Sequence, residues 1–444
     1  MKVLVVGNGA REHAIVSALA ESPTGPHVYA YMGTKNPGIA RLAKEHHIGN
    51  ILNAKDVADY AVKCKANLAV IGPEAPLGAG VADALETNGV LTVGPKKIAA
   101  QIETDKTFTR RLLEKHRIDG NPRFGIYTKT EDAFDLIDEL TPNVVIKPAG
   151  LTGGKGVKVQ GEHLKDAEES KKYAKEILNT KIGTIPAVVV EEKLIGEEFT
   201  LQAFVDGHTV AGTPTVQDHK RAFDADVGPN TGGMGSYSDC GNLLPFLTKK
   251  DYDKAIKIME ETVKAIWKET GTPYRGFLYG QFMAGPKEPK LIEYNARLGD
   301  PEAMNILSII DSDFTEVCER IIGGTLKRNV AFKEKATVVK YAVPAGYPDA
   351  PKNNVEIKVD EKKIKELGAL VYYASVREEG RRIYTSTSRA VAVTGIANTI
   401  TEAESIAEAA MTSIKGDIYH RKDIGTRNLV RSRVEHMKEI RPNA

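Results

Sequence analysis

The sequence predicts a multidomain α/β and α+β protein, with an N-terminal parallel-sheet domain, a β-rich central domain and a small C-terminal α+β domain. Three observations predict it. Near-continuous apolar runs alternate with helical patterns over residues 1–102, hairpin-forming strands dominate 103–326, and a different mixture of strands and helices fills 327–444. A length of 444 residues fits about three domains of ordinary size.

In the first region KVLVVG, HVYAYMG, LAVIG and LTVGP each end at a glycine-containing turn, with REHAIVSALAES and GAGVADALETNG between them. Strands without polar alternation are buried on both faces, which calls for a parallel sheet covered by helices. Ligands of such sheets bind at the carboxyl ends of the strands. The turn VVGNGAREHA lies at such an end. In a dinucleotide fingerprint the third glycine sits beneath the pyrophosphate; here Glu12 holds that place and would repel it. No acidic residue ends YAYMG to hold a ribose, so a nicotinamide site is disfavoured. Two alternatives stand: a tight turn without a ligand, or a phosphorylated substrate held by exposed amides of Gly7 and Gly9 at the helix N-terminus. Glu74, in IGPEAPLGAG at the end of a neighbouring strand, faces the same crevice.

The central region opens with KTFTRRLLEKHR as a helix. In VVIKPAGLTGGKGV a strand delivers Lys147, and Gly150, Gly153, Gly154 and Gly156 give a loop whose amides can fold over a phosphate chain. The Walker spacing is absent and the loop joins two strands; a flexible hairpin with a solvated Lys155 is the alternative. AVVVEEKLIGEEFT ends a buried strand at Glu191 and Glu192 and turns through Gly196 to Glu198. Such a hinge offers backbone groups to an adenine edge and a carboxylate to ribose hydroxyls, although strand-end glutamates are more often only solvated.

QDHKRAFDADVGPNTGGMGSYS, residues 217–238, is the longest polar, glycine-rich stretch. Stretches of this length without obvious secondary structure are commonly functional or disordered; Asp218, His219, Lys220, Arg221 and Asn230 favour an anion-lined site. In KLIEYNARLGDPE, Glu293 and Asn295 are two apart on a strand and share a face. A carboxylate beside an amide oxygen suits a hard cation such as Mg²⁺, which takes further ligands from nucleotide phosphates. Gln281, in LYGQFM on the neighbouring strand, offers a third oxygen. Arg297 supplies a planar fork for a carboxylate or phosphate, and Gly299, Asp300 and Pro301 turn into a helix whose N-terminus is a further anion site. A polar edge strand followed by a helix cap at Asp300 is the structural alternative.

The last region reads as strands in KATVVKYAVPAGYPD, ALVYYASVRE and RAVAVTGIAN, closed by a terminal helix TEAESIAEAAMTSIKG. Apolar residues at 41% and charged residues at 27% suit a folded chain rather than a disordered one. A net charge of +2 with interspersed signs gives no basic field for nucleic acid or an anionic membrane. Cys64, Cys240 and Cys318 are too scattered for a disulfide framework or a zinc site. No signal-peptide core or run of about 18 apolar residues is present, so a cytoplasmic protein is expected.

Together these segments resemble the glycinamide ribonucleotide synthetase family of ATP-grasp enzymes. GNGAREHA, GPEAPL, VIKPAGLTGGKGV, VVEEKLIGEE, QDHKR with GPNTGGMGSYS, IEYNARLGDPE and RKDIG carry the resemblance, which spans the chain. Ala10 stands where the family usually has glycine, and Gln281 where many ATP-grasp enzymes have an acid. The resemblance implies a pre-ATP-grasp domain over 1–102, an ATP-grasp fold over 103–326 with a mobile subdomain at about 121–190, and a C-terminal domain over 327–444. It implies that Lys106, Lys147 and the loop residues Gly153, Gly154, Lys155 and Gly156 bind ATP phosphates, that Glu191 and Glu192 bind adenine, and that Glu198 binds ribose. Gln281, Glu293 and Asn295 would hold two Mg²⁺ or Mn²⁺ ions. Gly9, Arg11, Glu12, Glu74, Gly299, Asp300 and Pro301 would bind substrates, while Asp218, Lys220 and Arg297 would both bind substrate and act in catalysis. The implied reaction joins glycine to 5-phosphoribosylamine with cleavage of ATP to ADP and phosphate, through glycyl phosphate, in de novo purine biosynthesis. A monomer or weak oligomer without nucleic-acid or membrane partners is expected.

Overall fold

A computed structural model describes residues 1–151, 156–180, 182 and 185–442. Strands β1 (Lys2–Val6), β2 (His27–Met32), β3 (Glu45–Ile48), β4 (Leu68–Ile71) and β5 (Leu91–Val93) form a five-stranded sheet in the order β3-β2-β1-β4-β5. Every neighbouring pair is parallel. Val3 to Val6 and Leu68 to Ile71 are buried throughout, as the unbroken apolar runs require. The strand order reverses between β1 and β4, which opens a crevice at their carboxyl ends; the turns at Gly7 and Gly72 border it. β3, with the polar sequence EHHI, escapes a search for apolar runs because an edge strand is paired on one side only.

The central region holds two sheets. β6 (Phe124–Tyr127), β7 (Val144–Pro148), β8 (Lys158–Val159) and β9 (Val188–Glu192) pair antiparallel in the order β6-β9-β7-β8. Alternation puts Val144, Ile146, Val188 and Val190 on one face, where Tyr173, Ala174 and Ile177 of the helix Ala167–Thr180 cover them as a separate core. β10 (Glu197–Asp206), β11 (Val210–Gly212), β12 (Gln217–Asp218), β13 (Arg221–Phe223), β14 (Val227–Asn230) and β15 (Gly235–Ser238) follow, then β16 (Arg275–Ala284) and β17 (Pro289–Asn295). The second sheet runs β11-β10-β16-β17. Against it packs a 22-residue helix, Lys249–Thr270, started by a Thr248–Asp251 capping box and stopped by Gly271 in the left-handed conformation.

The expectation of an irregular stretch at 217–238 is corrected by four short strands there. β13 and β14 form a hairpin, while β12 and β15 join β18 (Ala336–Pro344) of the C-terminal region. That sheet continues through Val391–Ala397 and Ala369–Tyr373. The helix Ile400–Met411 lies so close to it that a Cβ on Gly395 would stand 2.0 Å from Ala403 O. It is not the terminal helix: Arg427–Ile440 follows, rich in charge, with Leu429 and Met437 buried and Val430, Val434 and Ile440 half-buried against the core, an apolar stripe at helical spacing that the reading of the sequence passed over.

Candidate active site

Gly7 lies at φ +122°, and a Cβ there would stand 2.6 Å from Glu12 Cγ; one on Gly72 would stand 2.3 Å from the same atom. The two glycines make room for the Glu12 carboxylate, which is 2% exposed. Glu12 accepts the Gly9 amide at 2.6 Å and pairs with Arg11 Nε at 2.6 Å, while the Gly7 amide donates to Tyr31 O at 3.0 Å. This corrects the picture of Gly7 and Gly9 as exposed amides: both are satisfied within the chain. Arg11 reaches across to donate to Leu298 O at 3.2 Å and lies 4.0 Å from Glu74 Oε2.

Glu74 stands 3.2 Å from Arg297 Nε, and Glu103 Oε1 stands 3.2 Å from Arg297 Nη2. The other Glu103 oxygen accepts the Ala296 amide at 2.7 Å. Burial raises both acids, but Arg297 and Arg11 bring Glu74 down to about 2. For Glu103 burial prevails over Arg297, and its pKa rises to about 7. The planar fork of Arg297 is thus taken up by two glutamates, a second correction to a reading that left it open to a substrate anion.

On the central sheet Thr200 faces Gln281, Gln281 faces Glu293, and Tyr279 faces Asn295, so these side chains share one face. The β16–β17 register skips Ile292 between Glu293 and Leu291, a one-residue bulge beside the site. Ile292 O instead accepts Arg110 Nη2 at 2.7 Å and Lys147 Nζ at 3.4 Å. Gln281 Nε2 donates to Glu198 Oε2 at 2.6 Å, and Lys220 Nζ lies 3.5 Å from the same oxygen. A carboxylate partner selects the nitrogen end of the amide, which leaves the Gln281 carbonyl as the end available to a cation.

Burial works to raise the Glu293 pKa, yet Lys220, Lys106, Lys147 and Arg297 together hold it below the ordinary carboxylate value, each through space and none by a hydrogen bond. Among the described residues no group of three or more His, Cys, Asp or Glu side chains is placed to hold an ion. One ionised carboxylate with two amide oxygens fits a hard cation that arrives carrying phosphate ligands.

β7 delivers Lys147, 5% exposed, with Nζ 2.6 Å from Glu191 Oε2. Arg110 binds Glu191 with Nε at 2.6 Å and Nη2 at 3.0 Å. Burial lowers the Lys147 pKa; it raises that of Glu191, which Arg110 and Lys147 nevertheless bring to about 2. Glu192 accepts the Arg123 amide at 3.0 Å and pairs with Lys290. Its own amide donates to Arg123 O, and that of Lys193 to Asn143 O. The side chains of Glu191 and Glu192 and the amides of Glu192 and Lys193 are thus engaged within the chain. Lys106, first in the helix Lys106–Lys115, donates to Gly150 O at 3.2 Å. Gly153, Gly154 and Lys155 lie outside the described residues; Gly156 O accepts Tyr173 OH at 2.8 Å.

Models of the phosphoribosylglycinamide synthetase N domain, ATP-grasp (A) domain and C domain match residues 1–103, 104–303 and 337–427. A relative named phosphoribosylamine–glycine ligase, from Methanothermobacter thermautotrophicus, is 53% identical over 441 residues, covering 99% of this chain and 100% of the relative. The chain belongs to the phosphoribosylglycinamide synthetase family. A crystal structure of phosphoribosylamine–glycine ligase from Thermotoga maritima matches with a TM-score of 0.82 at 29% identity, covering 96% of this chain and 100% of that one. The biotin carboxylase domain of the Hydrogenobacter thermophilus 2-oxoglutarate carboxylase, described with MgADP and bicarbonate, shares the fold at a TM-score of 0.73 and 17% identity, covering 98% and 93%.

Beside the central sheet face, burial raises the Asp218 pKa to about 7, opposed by Lys220 and reinforced by Glu302 and Glu198. Gly299 N donates to Gln202 Oε1 at 2.7 Å. The helix after Pro301 spans only Glu302–Leu307, and its first residue is a buried acid: Glu302 accepts Tyr279 OH at 2.9 Å and Thr200 Oγ1 at 3.2 Å. Nor does Asp300 cap that helix; it accepts Tyr341 OH at 2.5 Å and lies 3.2 Å from Arg389 Nη2. Arg389 also donates to Gly232 O at 2.7 Å and Asp300 O at 3.0 Å, tying the GPNTGGMG loop to the LGDPE turn. Gly233, at φ +109°, permits that contact, since a Cβ there would stand 2.7 Å from Pro301 Cδ. Arg110, Glu103, Glu302 and Arg389 are the residues that sequence reasoning missed. For Arg110 and Arg389 no local signal exists, because their carboxylate partners, Glu191 and Asp300, lie 81 and 89 residues away.

Proposed function

We propose that this chain joins glycine to 5-phosphoribosylamine, cleaving ATP to ADP and phosphate, as a step of de novo purine biosynthesis. The observation that carries the reading is Glu293, ionised on a sheet face amid Lys106, Lys147, Lys220 and Arg297. The glycine carboxylate oxygen bonds to the γ-phosphorus while its bond to the β,γ-bridging oxygen breaks, releasing ADP. The ribosylamine nitrogen then bonds to the acyl carbon of glycyl phosphate, phosphate leaves, and the nitrogen loses a proton. Such chemistry needs alignment and charge neutralisation rather than a protein nucleophile.

Lys106, Lys147 and Lys220 align the phosphate chain. Glu198 takes ribose hydroxyls, and the hinge at Glu191–Glu192 takes the adenine edge through its backbone. Glu293 and Asn295, with the Gln281 carbonyl, hold two Mg²⁺ or Mn²⁺ ions, which when bound neutralise phosphate charge. Arg11, Glu12, Glu74 and the Gly299–Pro301 turn line the side from which the amine arrives, and Asp218 lies toward the acyl carbon. Glycyl phosphate is water-labile, so the subdomain at about 121–190 shields it before the amine attacks. The working units are 1–102, 103–326 and 327–444, in a cytoplasmic monomer or weak oligomer. Among the described residues no helix is long and apolar enough to cross a membrane.

A coupled ADP-release assay tests the reading. Turnover should require glycine, 5-phosphoribosylamine and Mg²⁺ together, and none in folded protein would overturn it. A different acid, or bicarbonate, replacing glycine would instead identify another carboxylate ligase or a carboxylase of the same fold.

A further inference from the structure

The strand pair that carries QDHKR has two faces. Lys220 points forward to Glu198, with Asp218 on the same side. His219 points back, its Nδ1 3.5 Å from Asp226 Oδ1, while its backbone is held by Gly235 O at 2.9 Å and the Met234 amide at 2.7 Å. Behind lies a charged cluster supplied by the end of the chain. Arg421, of the RKDIG segment, is wholly buried. Its Nη1 donates to Asp226 Oδ1 at 2.7 Å and to Arg221 O at 3.1 Å, and its Nε and Nη2 donate to Asp423 at 2.9 and 2.7 Å.

The partner segment is held in an unusual conformation. Ala225 and Asp226 lie at φ +61° and +53°, left-handed values that residues with side chains adopt only against steric cost. They are fixed there from the C-terminal side: the Ala225 amide donates to Asp423 Oδ2 and the Lys422 amide to Asp224 Oδ1, both at 2.9 Å. The result aims the Asp226 carboxylate inward at Arg421. An arginine fork can hold two carboxylates and a carbonyl at fixed angles, which an ammonium cannot.

We propose that Arg421 is a positioning residue, which by gripping Arg221 O and Asp226 sets the strand from which Asp218 and Lys220 reach the reacting groups. The proposal rests on the ligase reading above. Displacement of reacting groups by about 1 Å costs on the order of a hundredfold in rate, so the grip should appear in kcat.

The test replaces Arg421 in the full chain and compares steady-state kinetics, thermal unfolding and amide hydrogen exchange over 217–235. Arg421→Gln is expected to lower kcat by roughly tenfold to a hundredfold, to leave KM for ATP within about threefold because the adenine hinge is untouched, and to speed exchange at His219 and Met234 but not in the N-terminal sheet. Arg421→Lys should recover part of the rate. A folded Arg421→Gln chain with kcat within about twofold of the parent overturns the proposal, as does a rate loss without faster exchange at 217–235. Should Arg421→Gln fail to fold, Asp226→Asn, which keeps the Arg421–Asp423 pair, is held to the same outcomes. An inactive parent chain would sink the ligase reading alone, because the exchange measurement needs no turnover.

Discussion

The N-terminal crevice and the central sheet face are both built from arginines, lysines and glutamates, but they hold their charges differently. In the crevice Arg11 touches Glu12, and Arg297 is divided between Glu74 and Glu103. On the central face the four cations around Glu293 act on it through space. Contact pairs fix geometry and leave little field for a ligand. A carboxylate kept ionised among cations it does not touch can take a hard cation while Lys106, Lys147 and Lys220 receive a phosphate chain. Orientation is thus concentrated in the crevice and charge handling on the sheet.

The strongest way to break this contrast is Glu293→Ala. ADP release should fall by about a thousandfold or more, with the unfolding midpoint moved by no more than about 2 °C, since no contact pair is lost. Loss of the fold would return Glu293 to a structural role.

Two buried glutamates sharpen the contrast because they titrate in opposite directions. Glu191 lies at about 2 against an ordinary 4.5, so the stability from its pairs with Arg110 and Lys147 is full above the ordinary value and is lost as pH falls toward about 2. Glu191→Gln should flatten stability across that acid window and, by freeing Lys147, lower turnover by roughly tenfold to a hundredfold. Glu103 lies at about 7, so between 4.5 and about 7 the folded chain holds a proton that the unfolded chain has released, and stability falls as pH rises. Glu103→Gln should remove that decline, with a milder rate loss of about threefold to tenfold through Arg297. Chemical denaturation from pH 2 to 8 reads both; slopes of equal sign would end the comparison.

Much of the architecture was legible where physics is local. Unbroken apolar runs revealed the parallel sheet, and an i, i+2 spacing placed Glu293 and Asn295 on one face. The failures were non-local or a matter of satisfaction. The strands within 217–238 could not be read because β15 finds its partner about 100 residues later, in β18. The first of the two proposed helix N-terminal anion sites proved to be filled by the chain's own acid, Glu12, for the reason that makes such sites attractive: unsatisfied amides and the helix dipole recruit the nearest carboxylate. The spacing of Glu12, three residues after Gly9, was the available warning.

The smallest expected effect concerns Gln281. It stands opposite Glu293, but its amide nitrogen is fixed on Glu198, so only the carbonyl is left for an ion, and a neutral oxygen contributes less than a carboxylate. Gln281→Ala should therefore raise the Mg²⁺ concentration for half-maximal activity by only about threefold, while kcat at saturating Mg²⁺ stays within about twofold. A Mg²⁺ titration of ADP release measures this directly. A loss in kcat that added Mg²⁺ does not restore would show that Gln281 acts by orienting Glu198 instead, and would make the central face, like the crevice, depend on a contact pair.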